Sequence, residues 1–241
     1  MFILIYGDDG TGKSVQAMKI AELKDNPLHV SMAVKNRDLY KDGVVTSQEI
    51  LVFGNDMSIN PYETIDNFHK IIDTIIKEDV VDMVVIDEIS LLRTWAQACT
   101  IEWWNRSYSS KITKIGENNA LAWEYVNKIT YGYIERLTTW AALNNVVVVA
   151  ITSLRDVRIL EKGDDGKSHS VATGQTTVNA KDNVKKLSDI RVRLEKDGKH
   201  GKGYYATFEK YTDKQHSPTE KDVIKVDRDG VLQELILRGV L

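Results

Sequence analysis

Cysteine is nearly missing from this chain. Cys99 is the single example in 241 residues, so no disulfide can form within the chain, and the usage suits a reducing compartment. Proline occurs only three times. No low-complexity tract or internal repeat is visible either, which argues against a solenoid or a Pro-rich spacer. No apolar run nears the ~20 residues that span a bilayer. The opening apolar stretch is short and has no basic leader, so no signal peptide is expected. These absences predict a cytoplasmic protein with no membrane partner. The five histidines, His29, His69, His169, His200 and His216, lie far apart without metal-ligand spacing, and no zinc site is predicted. Charge of one sign is also lacking. With 32 Lys+Arg against 35 Asp+Glu the net charge is −3, so the molecule as a whole does not advertise nucleic-acid binding.

What is present begins at the amino end. Phe2 to Tyr6 is an apolar run of strand character. It breaks into Gly7-Asp8-Asp9-Gly10-Thr11-Gly12-Lys13-Ser14, after which Val15, Met18 and Ala21 recur at helical spacing. A G-x-x-x-x-G-K-S loop between a strand and a helix is the phosphate-binding arrangement. Glycines let successive N–H groups turn inward around phosphate oxygens, and the following helix adds its positive end. Gly7 to Val15 is therefore the candidate stretch for binding ATP. Lys13 is the candidate catalytic cation at the β- and γ-phosphates, and the Ser14 hydroxyl the candidate ligand for Mg²⁺. Asp8 and Asp9 put negative charge beside a triphosphate. They are expected to point away as an exposed turn pair, or else to help handle the attacking water.

Further along, the pattern alternates. Strands are predicted at Leu28–Val34, Ile50–Phe53, Val81–Asp87 and Val146–Ile151. An amphipathic helix is predicted on Ile65, Phe68, Ile72 and Ile75, and a long helical region from Leu91 to Asn145. Within that region Ala122, Val126, Ile129, Tyr133, Leu137 and Trp140 fall on one stripe. The polar stretch from Glu161 to Asp182 predicts a long flexible loop. Four trailing strands follow, at Ile190–Leu194, Tyr204–Phe208, Val223–Val226 and Leu232–Ile236, and they predict an antiparallel extension of the sheet. Strands alternating with helices imply an α/β fold, a mostly parallel sheet with helices on both faces. Ligands of such sheets sit at the carboxyl ends of the strands, which places Gly7–Ser14, Asp87, Glu88, Thr152 and Ser153 on one rim.

Met83-Val-Val-Ile-Asp87 has the form of a Walker B strand. Asp87 is the candidate to hold Mg²⁺ opposite Ser14, and Glu88 is placed to orient or deprotonate a water. The hydroxyls of Thr152 and Ser153 serve two readings equally, sensing the γ-phosphate or capping the next segment.

The order of phosphate loop, Val-Val-Ile-Asp strand, helical segment and Val-Val-Val-Ala-Ile-Thr strand resembles the RecA/RadA-like P-loop ATPase core. It looks especially like the short phage and archaeal-virus members, some of them recombinase-like or strand-annealing. Ser188–Lys196, Gly201–Ala206 and Asp229-Gly230 are similar to the last strands of archaeal RadA, and Ala122-Trp-Glu-Tyr125 is similar to the phage group. The resemblance implies one RecA-like ATPase domain over 1–241. It also implies a homo-oligomer with nucleotide at the subunit interface, completed by basic residues from a neighbour. Arg191 and Arg193 match that place, although edge-strand charges that blunt aggregation would look the same. In the family the catalytic glutamate comes from another strand, so Asp56, after the third predicted strand, stands as a second candidate base beside Glu88.

The resemblance also places DNA-contacting loops after the Asp87 strand and after the next central strand. Residues 155–202 carry twelve Lys/Arg against eight Asp/Glu, a local +4 suited to single-stranded DNA backbone, with Lys185 and Lys186 in it. Trp103-Trp104-Asn105-Arg106-Ser107-Tyr108 interleaves aromatics with a cation, as a base-stacking platform does; tryptophans that simply anchor packing give the same pattern. The competing expectation is a P-loop switch that acts on a protein partner without nucleic acid.

Overall fold

The computed structural model describes residues 1–32, 45–116, 119–162, 168–180, 182–196, 204–211, 222–226, 230–237, 239 and 241. Ten strands and seven helices are described. They are β1 Phe2–Gly7, α1 Lys13–Ala21, β2 Pro27–Ser31, β3 Thr46–Glu49, α2 Pro61–Glu78, β4 Met83–Asp87, α3 Ile89–Ser107, α4 Ala120–Ile129 and α5 Tyr131–Leu143. Then follow β5 Val147–Thr152, β6 Leu154–Lys162, β7 Ser168–Val178, α6 Asp182–Leu187, β8 Ile190–Lys196, β9 Tyr204–Tyr211, β10 Asp222–Val226 and α7 Gly230–Leu237.

Eight strands form one sheet in the order β10-β9-β8-β1-β5-β4-β2-β3, and β6 with β7 forms a separate two-stranded sheet. Pairing is parallel from β8 through β1, β5, β4 and β2 to β3, and antiparallel from β8 to β9 and β10. Every residue of β1, β4 and β5 is buried, which is why their sequences are continuous apolar runs rather than alternating ones. Alternate residues feed two cores. Phe2, Leu4, Val84, Ile86, Val148 and Ala150 pack with α2, α3 and α5, while Ile3, Ile5, Met83, Val85, Val147 and Val149 pack with α1 and α7.

Helix α2 begins as its sequence dictates. Asn60 Oδ1 accepts from the N–H groups of Tyr62 and Glu63 at 3.1 and 3.3 Å, and its amide donates to Glu63 Oε1, a reciprocal cap. Pro61 occupies the first turn, where it sacrifices no hydrogen bond. Ile65, Phe68, Ile72 and Ile75 are buried as predicted. Each contributes roughly 1.5–3 kcal/mol by burial.

Several expectations are corrected. The apolar run Ile50–Phe53 is not a strand; the edge strand is the polar β3, and Val52 is tied instead to Thr64 Oγ1 and the Asn60 N–H. The long helical region is interrupted where α3 ends at Ser107, resumes at Ala120, and breaks again at Thr130, whose hydroxyl donates back to the Val126 carbonyl. That bond competes with helix continuation. The buried stripe then shifts from Ala122 and Val126 to Tyr131, Ile134, Leu137 and Ala141, leaving Ile129, Tyr133 and Trp140 half-buried. β8 lies parallel to β1, so the antiparallel extension starts one strand later than expected. Leu232–Ile236 belongs to helix α7, not a strand. Val231, Leu232 and Leu235 at helical spacing are buried, and Gln16 Oε1 of α1 accepts from the Val231 N–H at 3.2 Å. The stretch expected as a loop over 161–182 contains the end of β6, all of β7 and the start of α6. Among the described residues, no helix is long and apolar enough to cross a membrane.

Candidate active site

The carboxyl ends of β1, β5 and β4 lie side by side, with Tyr6 opposite Thr152 and Ile151 opposite Asp87. Gly7 ends β1 because nothing larger fits: a Cβ there would lie 2.3 Å from the Leu194 carbonyl oxygen of β8. Gly10 and Gly12 have φ of 71° and 85°, the left-handed region glycine enters without steric cost. The loop thus turns back onto the start of α1. Lys13 is buried and its Nζ donates to the carbonyls of Gly7 at 2.9 Å and Asp8 at 3.0 Å. Thr11 Oγ1 donates to the Asp8 carbonyl at 2.8 Å, and Val15 is half-buried in the first turn of α1. Asp8 and Asp9 are exposed, as the turn-pair reading expects.

Ser14 Oγ donates to Asp87 Oδ2 at 2.6 Å. Residues 73 positions apart thus meet across the rim. Asp87 is buried, and burial pushes its carboxyl up to about 6, with Glu88's charge adding, against the Ser14 hydrogen bond and the Lys13 cation. Two hard oxygen donors at one point, one of them a shielded carboxylate, fit a magnesium ion held with nucleotide phosphates. Glu88, half-buried at the start of α3, accepts from Ser90 Oγ at 2.5 Å.

Burial of this carboxyl also bears on stability. A carboxylate whose folded pKa lies above its unfolded value near 4 weakens the fold above that value. In the nucleotide-free protein this cost grows as pH rises from about 4 to about 6. Asp87→Asn is therefore expected to raise the melting temperature of the nucleotide-free chain at pH 7, with little change at pH 4. Scanning calorimetry at the two pH values checks it; a lower melting temperature at pH 7 refutes it.

The other predicted residues divide. Thr152 Oγ1 donates to the Asn179 carbonyl at 2.9 Å, Asn179 N–H donates to the Ser153 carbonyl, and Asn179 Nδ2 donates to Ser153 Oγ. Both hydroxyls therefore secure the foot of the β6–β7 hairpin on the end of β5. Asp56 sits in an exposed turn, accepting from Ser58 N–H and Oγ at 3.0 and 2.6 Å. It follows the edge strand β3, which is separated from β4 by β2. The Ser58 hydrogen bonds also hold its carboxyl below the usual range, which makes it a weak base. Arg191 and Arg193 lie on the sheet face opposite α1, since Ile190, Val192 and Leu194 fill the α1 side. Arg193 pairs with Glu195 at 2.6 Å and reaches Thr176 Oγ1 at 3.4 Å. The aromatics stack on one another, with Trp103 and Trp104 half-buried and Tyr108 exposed. Trp103 stacks on Tyr125 at 4.3 Å between centroids and Trp104 on Tyr108 at 4.2 Å, which favours the packing reading of that motif.

Sequence reasoning missed two residues. Lys196 Nζ lies 3.0 Å from where a Gly10 Cβ would be, setting a cation against the loop's outer lip, and only the β8 register reveals it. His29 is fully buried, and burial lowers its pKa to about 4; as an isolated histidine in a short strand it carries no sequence signal.

A glycine-turned loop with a buried lysine, facing a rim carboxylate across a mostly parallel sheet, defines a P-loop ATPase domain of α/β fold. The AAA domain family matches residues 1–224, and the chain belongs to that family. Among solved structures it is similar to a KaiC-like protein from the hyperthermophilic archaeon Pyrococcus horikoshii. The identity is 16%, over 95% of this chain and 87% of that one, with a TM-score of 0.48. No curated protein matches the sequence.

Proposed function

We infer that the chain binds and hydrolyses ATP at the Gly7–Ser14 loop and that hydrolysis serves work on single-stranded DNA. The observation that carries the nucleotide site is the 2.6 Å contact between Ser14 and Asp87. Backbone N–H groups of Gly10 to Ser14 cradle the phosphates, and Lys13 leaves its loop carbonyls for the β- and γ-oxygens. Ser14 and Asp87 would hold a magnesium ion, which when bound would supply charge neutralisation at those oxygens. Glu88 takes a proton from the attacking water while the water oxygen bonds to the γ-phosphorus and the bridging P–O bond breaks, releasing ADP and phosphate. Arg191 and Arg193, on a face away from α1, suit a role toward a neighbouring copy in a homo-oligomer.

DNA contact is assigned to the hairpin side. β6 and β7 stand as their own sheet at the rim, residues 171–176 are exposed, and Lys185 and Lys186 close α6 beside them. Residues 155–187, from the hairpin through α6, carry seven Lys/Arg against five Asp/Glu, a local +2 that suits sequence-independent phosphate binding. Lys185→Ala with Lys186→Ala is expected to weaken single-stranded DNA binding and to lower the salt slope by about two, roughly one for each phosphate no longer neutralised. Fluorescence anisotropy at several salt concentrations measures both, and an unchanged affinity and slope rejects this assignment. ATP turnover with and without single-stranded DNA tests the whole reading. A protein-directed switch is the second reading, favoured by the net charge of −3. It predicts no DNA retardation at low salt.

A further inference from the structure

His29 sits on β2 with no exposed surface. Its flanking residues Leu28 and Val30 fill the core on the α2 side, so the imidazole lies on the α1 side, where Asp87 also points. Nε2 stands 4.0 Å from Asp87 Oδ2, the same oxygen that accepts from Ser14. Nδ1 is 2.9 Å from the Ser47 hydroxyl of β3. Four elements thus contribute to one polar line, Ser14–Asp87–His29–Ser47, on a sheet face otherwise packed with aliphatic side chains. Burying an imidazole in such surroundings costs free energy that an aliphatic residue would not. The place of this one, directly behind the rim carboxylate, gives that cost a use.

We propose that His29 is a positioning residue for Asp87, fixing the carboxylate from behind so that it faces Ser14 and the cation of a bound nucleotide. This rests on the reading that Ser14 and Asp87 hold that cation. The tautomer with its hydrogen on Nε2 directs an N–H dipole at Oδ2, while Nδ1 accepts from the Ser47 O–H. At 4.0 Å the dipole acts through space rather than as a hydrogen bond, so the low end applies of the roughly 10- to 100-fold change in metal affinity found for hydrogen-bonded partners behind a metal-holding side chain.

The test compares His29→Gln with His29→Asn in the full chain. Both are polar, but the Gln amide nitrogen reaches the Nε2 position facing Asp87, whereas the Asn nitrogen reaches only the Nδ1 position facing Ser47. ATP affinity is measured by calorimetry in EDTA and across a magnesium titration, beside each variant's melting temperature. His29→Asn is expected to raise the magnesium half-saturation about tenfold, and His29→Gln to stay within about threefold of the unmutated chain, with EDTA affinities equal in all three. Identical magnesium dependence in all three overturns the proposal. So does an equal loss in both variants that tracks their melting temperatures, because that marks a packing role. Should His29→Asn fail to fold, Ser47→Ala probes the same line from the exposed strand: a raised half-saturation supports the proposal and an unchanged one overturns it. ATP affinity that ignores magnesium in the unmutated chain refutes the nucleotide site itself, a result separable from the others because no variant is involved.

Discussion

Lys13→Ala is expected to abolish tight ATP binding, with the dissociation constant rising more than about 100-fold, since charge-assisted hydrogen bonds to phosphate contribute roughly 1.5–3 kcal/mol each. The lysine is folded against its own loop, held by the Gly7 and Asp8 carbonyls. A triphosphate offers Nζ stronger, charged acceptors a short swing away. No other residue of the G-x-x-x-x-G-K-S stretch carries a positive side chain, so none replaces it. Removing a buried side chain also costs some stability, and for that reason the melting temperature is measured beside the calorimetric affinity. Unchanged affinity in a folded variant would refute the assignment of the loop.

Glu88→Gln is expected to leave ATP affinity within about threefold while hydrolysis slows roughly 10²- to 10⁴-fold, the usual range for losing a general base. The amide is isosteric, and its carbonyl oxygen still accepts from Ser90 Oγ, so the start of α3 keeps its geometry. What is lost is the ability to take a proton. Asp56→Asn is the matched control. Its carboxylate is spent on Ser58 in an exposed turn, so single-turnover rates should be unaffected. Were Asp56→Asn to slow turnover and Glu88→Gln to spare it, the base would have been misassigned.

Much of this site was legible in the sequence because its local chemistry is strict. A loop that must enter left-handed angles at Gly10 and Gly12 has few alternatives to glycine. A fully buried strand such as β4 must be apolar until it reaches the rim, so the position of Asp87 announces itself. Three kinds of element were not legible. Helix α7 is too short for helical spacing to separate from strand alternation, and its partner, Gln16 of α1, lies more than two hundred positions away. The hairpin strand β7 is exposed over 171–176, so burial imposes no alternation, and its Ser, Thr and Gly composition imitates a loop. His29 became informative only when β2 was laid between β3 and β4, a non-local pairing that one sequence does not encode in any window. Asp56 shows the limit of the same rule: a carboxylate after a strand promises a rim position only if the strand is central, and β3 is an edge.

The foot of the hairpin bears on how this molecule can do work. Thr152 and Ser153 bind Asn179 at the tip of β5, and β5 is the strand inserted between β1 and β4. Tension pulling on the wing therefore enters the sheet at the seam separating Gly7 from Asp87, the two banks that a triphosphate would bridge. A partner on the hairpin would thus be coupled to a nucleotide in that cleft through a single strand, β5.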